Sequence, residues 1–440
     1  MRFTFSILFI AIGLNCLAQK TILINNVQIF NGKDEKTTTG NVLIVGNLIS
    51  KISSAPIPTN KSADVQIIDG KGKFLMPGLI DAHVHTMMES ISQQVAMMTD
   101  INYITLVAAN AAEKQLLRGF TSVRDLGGNS FSLKMAIDQG LAKGPRIYPS
   151  GATISQSGGH GDFGMPTDVP RQIGAPLSYM EKNNMTIIAD GADQVLMRTR
   201  EQLRQGASQI KLMAGGGVAS NYDPLDVAQY SDEEFKAAVL AAENWGTYVT
   251  VHAYTPKAIT TAINAGVKCI DHGQLIDEPT ARLMAEKGIW LSLQPFLDDE
   301  DANPQPEGSA NRKKQLEMSS GTVNAYALAK KYKIKTAFGT DILFEPKQAL
   351  KQGKMLAKLT RWYTPYEVLK MATSTNAELL AMSGPRNPYP NKLGVIEEGA
   401  YADMILVNGN PMQNIKLIED PANNFLLIMK DGVVYKNTIK

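Results

Sequence analysis

Short apolar, β-branched runs recur along the whole chain, and what separates them changes character twice. Between residues 20 and 78 the runs Ile22 to Ile29, Val42 to Ile49 and Val65 to Ile68 are divided only by Asn-Gly and Gly-Asn turns, which reads as strands without helices. From residue 79 onward, strand-like runs alternate with helical stretches. They fall at 79 to 85, Thr121 to Leu126, Arg146 to Ser150, 209 to 213, 248 to 252, 269 to 272, Ile289 to Leu293 and Lys335 to Phe338, with a helix around Tyr103 to Leu117 after the first. That alternation is the mark of βαβ units and a parallel sheet. Helix-free strands return at Ala402 to Val407 and Asn424 to Met429, followed by an Asp431-Gly432 turn.

The prediction is an α/β chain in which a (β/α)8 TIM barrel, residues 79–385, carries a small β-sandwich built from both termini, residues 19–78 and 386–440. Phe74 to Gly78 leads into the barrel and Leu393 to Gly399 leads out of it. Four hundred and forty residues suit that arrangement. Capping-box spacings at Ser231 with Glu234, and at Thr364-Pro365 with Glu367, mark two helix starts. Two long stretches read as loops, Gly151 to about Ile187 and Gln294 to about Gln315, and loops of such length in a compact domain are usually functional lids or disordered.

The first eighteen residues break the pattern. Met1-Arg2, an apolar run from Phe3 to Leu14, and Cys16-Leu17-Ala18 before Gln19 fit a cleavable secretory signal too short to span a bilayer. The expected location is outside the cytoplasm, periplasmic or secreted. Cys16 raises the alternative of a lipid anchor, against which Asn15 and Leu14 stand where small residues are expected. Cleavage would leave Cys269 as the sole cysteine, so no intrachain disulfide is expected. Forty-four basic against forty-two acidic residues, with no block of like charge, exclude nucleic acid or an anionic membrane as the expected partner. A small-molecule or dipeptide substrate is the better expectation; homo-oligomerisation is left open.

Candidate chemistry sits on the strand ends. Leu79-Ile80-Asp81-Ala82-His83-Val84-His85 closes a strand with two histidines one residue apart, which alternation places on one face. Of only five histidines, His252 and His272 end two further predicted strands, while Lys211 and Asp341 stand at or beside the ends of two more. In a parallel barrel those ends form the active face. A lysine between Ile210 and Leu212 on a buried strand is expensive as an ammonium ion, and burial favours its neutral, nucleophilic form.

This constellation resembles the amidohydrolase superfamily in its binuclear form, over nearly the whole mature chain. The resemblance implies that His83, His85 and Asp341 hold one metal, His252 and His272 a second, and that Lys211, carboxylated by carbon dioxide, bridges both. Zinc suits a mixed imidazole and carboxylate shell. It further implies hydrolysis, with Asp341 moving the proton from nucleophile to leaving group.

His160 lies outside that set, in Ser157-Gly158-Gly159-His160-Gly161-Asp162. With Tyr254, two residues beyond His252, it resembles the subgroup containing Xaa-Pro dipeptidases, near imidazolonepropionase, in which such a pair binds the substrate's carboxylate. Gly215-Gly216-Gly217 lacks the lysine-serine pair of a phosphate loop and reads as room for substrate. The expected activity is cleavage of an amide or peptide bond next to a C-terminal amino acid. The alternatives are a lactone, carbamate or phosphotriester hydrolase on the same site, or a catalytically inactive binding protein.

Overall fold

The computed structural model describes residues 20–59, 65–172 and 174–439, so the expected signal segment and Cys16 lie outside it. The chain begins with β1 (Thr21–Ile29), β2 (Thr38–Val45), β3 (Leu48–Ser53), β4 (Val65–Asp69) and β5 (Phe74–Pro77). The run Val42 to Ile49, read as one strand, is a hairpin: Gly46 takes a positive φ and turns β2 back on β3. β1 is the branch point of the sheet. It pairs with β2 along one edge and, along the other, first with β4 and then with β5.

Ten strands follow: β6 (Leu79–Val84), β7 (Phe120–Asp125), β8 (Arg146–Pro149), β9 (Thr153–Ser155), β10 (Thr186–Ile188), β11 (Ile210–Met213), β12 (Val249–Ala253), β13 (Cys269–His272), β14 (Trp290–Leu293) and β15 (Thr336–Phe338). Every pairing among them is parallel. They form the (β/α)8 barrel, with crossover helices such as Ile101–Leu117, Ala192–Gln205, Asp232–Trp245, Pro256–Asn264 and Glu278–Lys287 outside it. Among the described residues, no helix is long and apolar enough to cross a membrane.

The third barrel strand is longer than its hydrophobic run. β8 pairs with β7, the chain kinks at Gly151, and β9 carries the strand on to pair with β11. At Gly151 φ is +76°, and a Cβ would lie 2.2 Å from Gln202 Oε1, which instead accepts a hydrogen bond from the Ala152 amide. The stretch 151–187 is therefore not one loop but contains β9, a short helix Tyr179–Lys182 and the start of β10. The second stretch read as a loop ends earlier than expected, because helix Ala310–Lys331 starts on its Ser309 cap.

Between β15 and β6 the ring is closed by side chains. Asn376 Nδ2 donates to both Ile80 O and Phe338 O at 2.8 Å. Asp81 accepts from the backbone and hydroxyl of Thr340 and from Gln352, and burial pushes its carboxyl up to about 6 despite these donors. Both capping boxes form, at Ser231 with Glu234 and at Thr364 with Glu367.

The chain then returns to its starting sheet through β16 (Met404–Val407), β17 (Phe425–Lys430) and β18 (Val433–Asn437). β16 lies antiparallel to β5, so strands from both termini form one eight-stranded sheet around its own core, which includes Ile22, Ile24, Ile44, Leu75, Met404 and Leu427. This is the small β domain from both termini expected from the sequence. A buried ionic clamp ties it to the barrel. Arg146 at the start of β8 is 2% exposed, pairs with Asp403 and with Asp431 at 2.7 Å, and lies 4.2 Å over the Tyr401 ring.

Removing one partner of such a pair leaves a buried charge uncompensated. Arg146→Met should therefore cost about 3–5 kcal/mol in chemical denaturation, and Arg146→Met combined with Asp403→Leu should recover part of it. A double variant no more stable than the single one would show that the clamp acts through packing alone.

Candidate active site

At the C-terminal mouth of the barrel a cavity is lined by His83, His85, His160, Lys211, His252, Tyr254, His272 and Asp341, so every residue singled out in the sequence faces one space. Their placement follows from register. Lys211 pairs with Thr250 and Met213 with His252, while His252 pairs with Asp271, so Lys211, Thr250, His252 and Asp271 all face the barrel interior. Strict alternation would turn His272 to the opposite layer. Its φ of +83° rotates it back to the mouth, and Asp341 is re-aimed in the same way at φ +50°. Non-glycine residues in this region carry local strain and persist only where the surroundings hold them. Asp341 is held by its amide, which donates to His83 O at 2.7 Å.

His83, His85 and Asp341 bring one ligand atom each to within 4.8 Å of one another. Asp341 Oδ1 lies 3.0 Å from His83 Nε2 and 3.1 Å from His85 Nε2, and Oδ2 lies 3.8 Å from His272 Nδ1. Burial pushes His83 down to about 4 and His272 to about 3, so both are neutral imidazoles with a lone pair to offer. Burial also holds His252 well below the usual range. Buried, neutral, converging imidazoles beside a carboxylate are the donor set a divalent cation requires. The carboxyl of Asp341 is itself kept well below its usual range: burial would raise it, but His83 and His272 more than offset that.

Beneath this group lies a charged layer that sequence reading missed. Asp271 accepts from Lys211 Nζ at 2.6 Å, from Arg124 Nη2 at 2.7 Å and from Thr250 Oγ1 at 2.8 Å, and it lies 3.7 Å from His83. Arg124 is fully buried and also donates to Ala82 O and Tyr248 Oη. Gln294, read only as the first residue of a loop, accepts from His272 Nδ1 at 2.8 Å and turns its amide toward His83 Nδ1 at 3.4 Å, orienting both rings. A usable signal for this layer existed in the arginine at the centre of the strand-like run Thr121 to Leu126, a costly residue to bury without an acid opposite it.

His160 and Tyr254 flank the second histidine pair. The His160 ring stacks on His252 at 4.0 Å, and Tyr254 lies 4.8 Å from His252 and 5.1 Å from His272. His160 Nδ1 is 2.8 Å from Ser220 Oγ and 3.5 Å from Asp223, which leaves Nε2 for a ligand. Burial holds the Tyr254 hydroxyl well above its usual range, so it remains a donor. Within the glycine triplet, Gly217 makes room for this histidine. A Cβ on Gly217 would sit 1.9 Å from the His160 ring, and one on Gly216 would meet Pro224 O at 1.8 Å.

Residues 74–439 match the Amidohydrolase family. The chain belongs to that family. It is 33% identical over 382 residues to ochratoxinase of Aspergillus niger, spanning 82% of this chain and 75% of that protein. The crystal structure of A. niger ochratoxinase superposes with a TM-score of 0.82 at 29% identity, over 95% of this chain and 96% of that one. A prolidase complexed with N-methylphosphonate-L-proline gives 0.84 at 32% identity, and a Xaa-Pro dipeptidase with bound methionine in its active site gives 0.81 at 28%; each comparison spans 95% of this chain and all of the other. The chain is thus an amidohydrolase of the dipeptidase-like group, a hydrolase acting on amide or peptide bonds of small molecules. Members of the family typically bind divalent metals, and the His83, His85 and Asp341 group fits one.

Gly217→Ala should push the His160 ring off His252 while leaving His83, His85 and Asp341 in place. A crystal structure of the variant with the stack still at about 4 Å would refute that role for the glycine.

Proposed function

We propose that this amidohydrolase cleaves the bond on the amino side of a C-terminal amino acid, in a dipeptide or an N-acyl amino acid. The observation that carries the reading is the pairing of His160 and Tyr254 against His252, with His160 Nε2 and the Tyr254 hydroxyl making no hydrogen bond among the described residues and so open to an anion beside the donor cluster. The solved relatives support it, since one is a prolidase holding a proline derivative and another a Xaa-Pro dipeptidase holding methionine. A free carboxylate would accept from the Tyr254 hydroxyl and from His160 Nε2, which fixes the scissile carbonyl one residue away, over the cluster.

In this reading His83, His85 and Asp341 would hold one divalent ion and His252 and His272 a second, zinc by the chemistry of the donors, with Lys211, carboxylated by carbon dioxide, as a further ligand. Bound there, the ions supply Lewis acidity toward the scissile carbonyl and toward water. The chain's own residues do the rest. Asp341, anionic in its setting, accepts the proton of the attacking water and passes it to the departing amine nitrogen. Lys211 suits that role by its place, buried and lining the same cavity as the histidines of both proposed ion sites. A carbamate there would supply an anion to the two ions.

Zinc-replete protein should carry about two divalent ions per chain by elemental analysis, and Lys211→Ala should lose the second ion together with activity. One ion or fewer in the parent protein refutes the binuclear arrangement. The substrate reading is tested with dipeptides and their C-terminal amides. Amidation should lower kcat/KM by roughly ten- to a hundredfold, the worth of a charge-assisted contact in a closed site. His160→Ala should lower activity on free dipeptides by a similar factor and on amides little further. Equal cleavage of acid and amide by the parent enzyme would move the lactone, carbamate and phosphotriester alternatives ahead.

A further inference from the structure

Of the cavity's acidic residues outside the donor cluster, Asp298 is paired with Arg312 and Asp301 with Lys354, which leaves Glu345. Glu345 lines the cavity four residues beyond Asp341, half-buried and close enough to Asp341 for the two carboxyls to repel. Its aim is set by an unusual backbone. Phe344, immediately before it, takes φ +59° and is pinned by its amide donating to Met88 O at 3.1 Å. A bulky side chain in the left-handed region is disfavoured unless the surroundings enforce it.

Glu345 also lacks a committed counter-charge. Lys354 and Lys358 line the same cavity, but Lys354 is paired with Asp301 at 2.6 Å and Lys358 with Asp299 at 2.9 Å. Lys351 acts on Glu345 from a distance, and no ion pair joins them among the described residues; Asn303 is its hydrogen-bonding neighbour. Burial, with Asp341 adding to it, pushes the Glu345 carboxyl up, so a cation arriving in the cavity would be well received.

Position around the barrel says which cation fits. His160 follows the third barrel strand and Tyr254 the fifth, whereas Glu345 follows the eighth, across the mouth from them. A ligand whose carboxylate lies at His160 and Tyr254, with its carbonyl over His83, His272 and Asp341, therefore extends its other end toward Glu345. In a dipeptide the group just beyond the scissile carbonyl is the α-ammonium. Met88, Phe163, Met185 and Leu343 line the same cavity and suit an apolar side chain next to it.

The geometry points to Glu345 as the acceptor for a free α-ammonium, making unblocked dipeptides with a large apolar first residue, and not N-acyl amino acids, the preferred substrate class. The inference rests on the amide-hydrolase reading above.

The test uses the holoenzyme at pH 7, where most of the α-amine is protonated. A phenylalanyl dipeptide is compared with the 3-phenylpropionyl amide of the same C-terminal amino acid, which differs only in lacking the amine. The parent enzyme should favour the dipeptide in kcat/KM by roughly ten- to a hundredfold. Glu345→Gln should erase most of that preference, changing the des-amino substrate by less than about threefold. Equal cleavage of the two substrates by the parent enzyme, or an equal loss on both in a Glu345→Gln protein that melts like the parent, overturns the assignment. The parent ratio needs no variant, so a misfolded Glu345→Gln protein leaves the test standing. Failure to cleave either substrate would instead count against the amide-hydrolase reading, whereas cleavage of the des-amino compound with its dependence on the C-terminal carboxylate intact would remove only the role of Glu345.

Discussion

Everything at the mouth of this barrel rests on one shared carboxylate. Asp271 sits between two buried cations, Arg124 and Lys211, and its surroundings fix the height and direction of His83, Thr250 and the strand that ends in His272. Burial alone would raise the carboxyl, but Lys211 and Arg124 hold it well below the usual range, so it stays charged. Removing any one member of this buried group would leave a charge uncompensated in a dry interior.

Much of the site was legible because its chemistry lies on regular structure. The His-x-His pair, His252 and Lys211 fall where period-two alternation predicts, and the strand ends of a parallel barrel converge by topology. The layer beneath was not legible, for a definite reason. Reading His272 as a ligand implies, by alternation, that Asp271 points away from the interior; only the left-handed backbone at His272 lets both neighbours serve the site. Arg124 was hidden in a run read simply as a strand. The glycine triplet was read for what it leaves empty, whereas Gly217 is shaped to a histidine more than fifty residues earlier in the chain.

Elements were legible where hydrophobic periodicity was long and capped, and less so where the backbone breaks a run. Gly46 splits one apparent strand into a hairpin, and Gly151 extends one barrel strand past its apparent end. The residues that shape the outer cavity were hardest to place. Asp301 with Lys354, and Lys358 with Asp299 behind them, come together from segments about fifty residues apart, and pairs of that kind follow from tertiary closure and not from local pattern.

The shared sheet sets an order on how this molecule can be made. β5, which leads into the barrel, finds its partner in β16, more than three hundred residues later. A nascent chain that has completed the barrel but not reached residue 404 still carries the free edge of β5, and Arg146 still lacks Asp403 and Asp431. Such an edge is a template for pairing with another chain. A ribosomal stall or truncation near the C-terminus would therefore release an aggregation-prone barrel, despite leaving every residue of the catalytic mouth already synthesised.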